Sequence, residues 1–172
     1  MSTFAAGQTG LVVAIPSAEP VVARLRAAYD VAAAYGVPAH VTVLFPFLPY
    51  DAVDDGVRAD LAGIAASVPA TDVTFARCRR WRRVAWLEPE PDRPFRDLTA
   101  RVAARWPESP PYAGTIADPV PHLTVAEGAD DVLDLAEREV EPGLPFAARA
   151  DRLHLIAFDG TRWQPAGHWP LG

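Results

Sequence analysis

Short apolar runs alternate with amphipathic stretches along the chain, and prolines separate them. Residues 11–15 (LVVAI) form a continuous apolar run stopped by Pro16, the pattern of a buried strand. Ser17 can cap the helix after it, and Pro20 suits a first helical turn. Val21, Leu25, Ala28 and Ala32 then recur at helical spacing as far as Gly36, a natural stop. Residues 40–47 (HVTVLFPF) are β-branched and aromatic, predicting a strand with Pro46 near its end. Val57, Leu61 and Ile64 mark a second helix from Asp54. Residues 73–76 and 84–87 read as strands joined by an Arg-rich hairpin turn. Phe95, Leu98 and Val102 share one face of a third helix over 94–106. Residues 110–121 are loop-rich, and 121–125 (PHLTV) form another strand. Asp130 or Asp131 caps a fourth helix through Val132, Leu135 and Glu139. Strands over 152–158 and 162–171 flank Asp159-Gly160, a strong hairpin signal.

The order βαβαββ followed by αβαβββ mixes helices with hairpins, so a mainly antiparallel α+β sheet fits best. The chain also echoes itself. Val37-Pro-Ala-His40-Val-Thr42-Val43 returns 82 residues later as Val120-Pro-His122-Leu-Thr124-Val125, which points to two similar lobes.

Strand side chains alternate, so His40 and Thr42 share one face and Val41 and Val43 the other. Their Cα atoms stand about 6.6 Å apart, close enough for an imidazole and a hydroxyl to converge on one small anion. His122 and Thr124 repeat the arrangement. Two imidazoles titrating near neutrality can relay protons in two steps, one taking a proton from the attacking oxygen and one protonating the leaving oxygen. Two threonines and an imidazolium supply charge stabilisation without a metal. From the residues alone, catalysis stands beside two alternatives: half-buried strand residues and a non-catalytic anion pocket.

Composition narrows the chemistry. Hydrophobic residues make up 50% and charged ones 22%, which excludes wholesale disorder. A net charge of −6 excludes a globally basic coat for extended duplex nucleic acid. Every basic residue is Arg; without Lys there is no Schiff-base or Walker-type lysine. The single Cys78 excludes an internal disulfide and a Cys-rich zinc site, and its flanking arginines would lower the thiol pKa if they lie close. No run approaches the roughly 18 apolar residues of a membrane span. The opening MSTFAAGQTG lacks a basic stretch followed by an apolar one. A cytoplasmic, monomeric chain without membrane or cofactor partners is expected.

The chain resembles the two-histidine (2H) phosphoesterase superfamily, which includes 2′-5′ RNA ligases and RNA 2′,3′-cyclic phosphodiesterases. The resemblance rests on His40-Val-Thr42-Val and His122-Leu-Thr124-Val. It is supported by Val84-Ala-Trp86-Leu87-Glu-Pro, Pro94-Phe95-Arg96-Asp-Leu98, and the tail Leu153-His154-Leu155 with Asp159-Gly160-Thr-Arg162-Trp163. It implies a single bilobal α+β domain over 1–172, with outer helices and a central groove carrying both motifs. It also implies metal-independent action on phosphodiesters, typically a nucleotide or RNA terminus bearing a 2′,3′-cyclic phosphate. His40 and His122 are then the catalytic pair, with Thr42 and Thr124 holding the phosphate. His122 is taken to activate water and His40 to protonate the leaving oxygen. Ligation of cleaved RNA ends and non-catalytic nucleotide or RNA binding are the alternatives.

Charge is uneven. Residues 77–105 hold nine Arg and four acids, a net +5 beside a −11 remainder. Arg79, Arg80, Arg82 and Trp81 in this stretch suit phosphate contact and base stacking, and Tyr112 could stack a base. Phe45 and Phe47 are expected in the core, His154 as a structural residue and His168 at the surface. Asp118 and Glu127 flank the second motif, where either could orient an imidazole.

Overall fold

The structure, a computed structural model, describes residues 3–172; the pattern of the first ten residues lies partly outside them. The strands are β1 (Thr9–Ala14), β2 (His40–Leu44), β3 (Thr71–Trp81), β4 (Val84–Glu90), β5 (Leu123–Glu127), β6 (Phe146–Ala150), β7 (Arg152–Phe158) and β8 (Trp163–Pro170). The α-helices are α1 (Glu19–Tyr29), α2 (Val31–Ala34), α3 (Asp55–Ala66), α4 (Arg93–Arg105) and α5 (Asp130–Val140). Two antiparallel sheets result, ordered β2-β1-β7-β8 and β5-β4-β3-β6.

The sheets mirror each other. In each, the motif strand (β2 or β5) is an edge, paired with the strand that precedes it across a helical crossover. The helices exchange partners: α1 packs on β5, and α4 packs on β2. The two edge strands lie against one another at the seam. Phe95, Leu98 and Val102 on α4 are fully buried, each contributing about 1.5–3 kcal/mol of apolar burial.

Several local signals act as expected. Asp54 Oδ1 accepts from Val57 N at 2.8 Å and starts α3. Gly36 adopts φ +94° and stops the second helical stretch. Asp159-Gly160 turns β7 into β8, with Gly160 at φ +102°. Other expectations are corrected. The helix over 20–36 breaks at extended Asp30, whose carboxylate accepts from Ala32 N at 2.9 Å and restarts the chain as α2. Ser17 lies in a 3-10 turn, and Asp130 and Asp131 lie inside the first turn of α5; none of them caps. The strand β3 runs through the arginines to Trp81, leaving only Arg82 and Arg83 as the turn, because pairing with β4 continues to Trp81–Val84. β6, one of the three closing strands, carries no marked apolar run.

Candidate active site

The two motifs share one burial rhythm. His and Thr are half-buried, and the residue after each is buried in the core. Alternation then breaks at the same place in both. Leu11 and Val12 pair with Leu44 and Thr42, and Ala85 and Trp86 pair with Ala126 and Thr124. One extra residue, Val43 or Val125, is therefore inserted directly after each threonine, a β-bulge. In the first motif, Thr99 on α4 anchors that residue by donating to Val43 O at 2.8 Å. The bulge buries Leu44 and returns Phe45 to the histidine face, where it lines a cavity and packs, as expected of a core residue, against the small Val37-Phe158-Trp163 cluster. Phe47 packs edge-on against Trp106 at 5.1 Å, inside the core.

Both imidazoles are held identically. His40 Nδ1 donates to Pro38 O, and His122 Nδ1 donates to Val120 O, each at 2.7 Å. A carbonyl can only accept, so in the neutral ring the proton sits on Nδ1, and Nε2 is the lone-pair nitrogen. Neither Asp118 nor Glu127 orients a ring. Asp118 pairs with Arg96 at 3.2 Å, and Glu127 lies opposite Val84.

The loop before His40 is tied to α1. Glu19 Oε1 accepts from Ala39 N at 2.7 Å, and Arg26 Nη2 donates to Val37 O at 3.2 Å. Arg26 also pairs with Asp30 at 2.8 Å, with both side chains about 3% exposed. Nothing in the sequence singles out Arg26. Burial first, then the Arg26 guanidinium, push the His40 pKa down to about 4, against the opposing Pro38 hydrogen bond and Asp30. Burial also lowers the His122 pKa, opposed by the Val120 bond.

A cavity of about 120 Å³ opens on the first motif, lined by His40, Thr42, Phe45, Tyr112, Ile156 and Trp163 among others. Tyr112 adopts φ +51°, left-handed for a non-glycine, and its N–H donates to Phe45 O at 2.7 Å. Backbone strain of this kind, about 1–3 kcal/mol, tends to persist where a site requires it. Burial raises the phenol pKa, and a hydrogen bond with Thr42 opposes that shift.

On the other side, Thr124, Trp86 and Arg79 stand opposite one another across β5, β4 and β3, on one face. Trp81, 39% exposed, packs on Trp86 at 4.6 Å and edge-on to His122 at 4.6 Å. Arg79 reaches Glu88 at 3.0 Å. Arg80 points the other way, into Glu137 and Asp134 on α5, so its charge is neutralised away from the motifs. Arg82 sits exposed in the turn. Cys78 is likewise corrected: burial and Glu137 push its thiol up to about 11 despite Arg80, leaving it protonated. Among the described residues no group of three or more His, Cys, Asp or Glu gathers as a metal site, and no helix is long and apolar enough to cross a membrane.

Comparison with solved structures finds the same fold. E. coli LigT complexed with 3′-AMP matches at TM-score 0.63 and 20% identity, covering 96% of this chain and 98% of that one. E. coli LigT complexed with ATP matches at TM-score 0.59 and 21% identity, covering 96% and 98%. TT0787 of Thermus thermophilus matches at 0.58 and 18%, covering 95% and 97%. No curated protein matches the sequence. The family model of the 2′-5′ RNA ligase superfamily matches residues 14–162, most of the chain and both motifs, and the chain therefore belongs to that superfamily of 2H phosphoesterases.

Proposed function

We propose that the protein is a phosphodiesterase that opens a 2′,3′-cyclic phosphate on a nucleotide or RNA end by acid–base catalysis between His40 and His122. The observation that carries this reading is the matched Nδ1–carbonyl bond of the two rings. It leaves two Nε2 atoms as the proton-exchanging positions, one in each motif, two residues from Thr42 and Thr124. A water attacks phosphorus while one Nε2 takes its proton. The bond from phosphorus to one ribose oxygen breaks, and the other imidazolium protonates that oxygen, leaving a phosphomonoester. Thr42 and Thr124 donate to the non-bridging oxygens, whose charge grows in the transition state. The chemistry uses only these side chains.

We assign the base to His40 and the acid to His122, the converse of the sequence expectation. Burial and the Arg26 guanidinium keep the His40 imidazole neutral, with Nε2 free to take the proton of the water. His122 has no such guanidinium, and the arriving phosphate charges it as the acid. Trp81 offers a stacking face for a base, and Tyr112 closes the opposite side.

The test is a product assay. A panel of nucleoside 2′,3′-cyclic phosphates and an RNA with a cyclic end should yield phosphomonoesters. Joined RNA in the presence of a 5′-hydroxyl partner, without hydrolysis, would show a ligase instead. Tight binding without any product would show a binding module.

A further inference from the structure

Two histidines outside the motifs lie on the same sheet face as the first one. Cross-strand register places Thr42 opposite Val12, Val12 opposite His154, and His154 opposite His168, in one row from β2 through β1 and β7 to β8. Residues directly opposite in an antiparallel sheet share a face. The row therefore runs outward from the phosphate threonine. With strands about 4.8 Å apart, His154 stands roughly 10 Å and His168 roughly 14 Å from Thr42.

Two neighbouring hollows follow this row. A trough of about 240 Å³, lined by Val12, Pro38, His154 and Ile156 among others, adjoins the first-motif cavity, and the two share Val12, Val37, Ile156 and Trp163. Its floor on β1 is Val12 and Ala14, side chains too short to block a ligand.

His154 lines the trough, and the surface beyond it along the row is cationic and polar. The rings of His154 and His168 lie 6.1 Å apart. Arg152 alternates onto the same face of β7 as His154 and is exposed, as is His168. Burial, His168 and Arg152 lower the His154 pKa, and Asp151 opposes them. Arg152 thus supplies standing charge, while the imidazoles supply hydrogen bonds.

We propose that His154, His168 and Arg152 form a second phosphate station, one nucleotide unit along the groove from Thr42. The substrate is then an RNA end whose terminal nucleotide carries a 5′-linked phosphate, rather than a free nucleoside cyclic phosphate. This rests on the reading of the groove as a nucleotide site and names its substrate class.

The test is affinity, measured by calorimetry with three probes: adenosine 3′-phosphate, adenosine 3′,5′-bisphosphate, and the 3′-phosphorylated dinucleotide ApAp. The bisphosphate and ApAp should each bind about tenfold tighter than the monophosphate, the equivalent of one charge-assisted contact. Arg152→Ala and His168→Ala, both at exposed positions, should remove that gain and leave monophosphate affinity unchanged, which also verifies folding. Equal affinity of all three probes for the wild type, or a gain that survives both variants, overturns the station. A bisphosphate gain without an ApAp gain overturns the RNA-end assignment. If none of the three binds, the nucleotide reading of the groove itself fails.

Discussion

His40 and His122 carry their Nδ1 protons on the same kind of partner, the backbone carbonyl two residues upstream, at the same 2.7 Å. The partner is Pro38 O in one motif and Val120 O, just before Pro121, in the other. Proline fixes φ and biases the residue before it toward extended backbone, so each carbonyl is presented by a stiffened segment. The tautomer is set by the main chain, and no side-chain substitution at Asp118 or Glu127 should alter it. Asp118→Asn and Glu127→Gln are therefore expected to keep wild-type turnover. A large loss of kcat in either would show a carboxylate in the relay.

Stability should fall with acid in a specific window. The His40 pKa is depressed in the folded state, from about 6.5 to about 4, so the unfolded chain binds the proton more readily. The contribution of neutral His40 is complete above pH 6.5 and is lost as pH falls toward 4. Urea unfolding at pH 7 and pH 5 should show a loss in the wild type that is smaller in His40→Gln. Equal losses would mean that burial does not depress this imidazole.

The buried Arg26–Asp30 pair should be costly to break from one side. Arg26→Met leaves the Asp30 carboxylate buried and unpaired, a loss of about 3–5 kcal/mol by denaturant unfolding. The same variant removes a positive charge near His40, so the His40 pKa, followed by NMR titration, should rise. An unchanged pKa would leave Arg26 a structural residue only.

Much of this site is written in the local sequence. The His-x-Thr-x segments, their half-chain spacing and the β-rich surroundings all follow from alternation and repetition. The bulges do not, because nothing in Thr42-Val43-Leu44 says that two consecutive apolar residues will both turn inward. That displacement puts Phe45 on the cavity side, against the small cluster of Val37, Phe158 and Trp163. Arg80 shows the same limit. Its neighbours on the chain are Arg79 and Trp81, but strand geometry sends it to Glu137 and Asp134, acids more than fifty residues away. The Arg-rich stretch has the local composition of a turn; its continuation as strand depends on β4, which pairs with Cys78 to Trp81, while β6 pairs only as far as Phe75.

The two faces of β3 should separate in function. Trp81→Ala removes an exposed ring beside His122 and should weaken nucleotide affinity about fivefold or more, since base stacking contributes about 1–3 kcal/mol. Arg80→Ala breaks only contacts with α5 and should leave affinity unchanged. Calorimetric titration of both variants with adenosine 3′-phosphate checks this; a larger loss in Arg80→Ala would place that guanidinium in the groove.

The most direct measurement is kcat/KM on an RNA with a 2′,3′-cyclic end, in EDTA, for the wild type, His40→Ala, His122→Ala and the double variant. Turnover by the wild type should be insensitive to EDTA. Each single variant should lose roughly a thousandfold, and the double variant little more, because the two rings act as one relay. Full activity in both single variants, or its abolition by EDTA in the wild type, would contradict the two-histidine account.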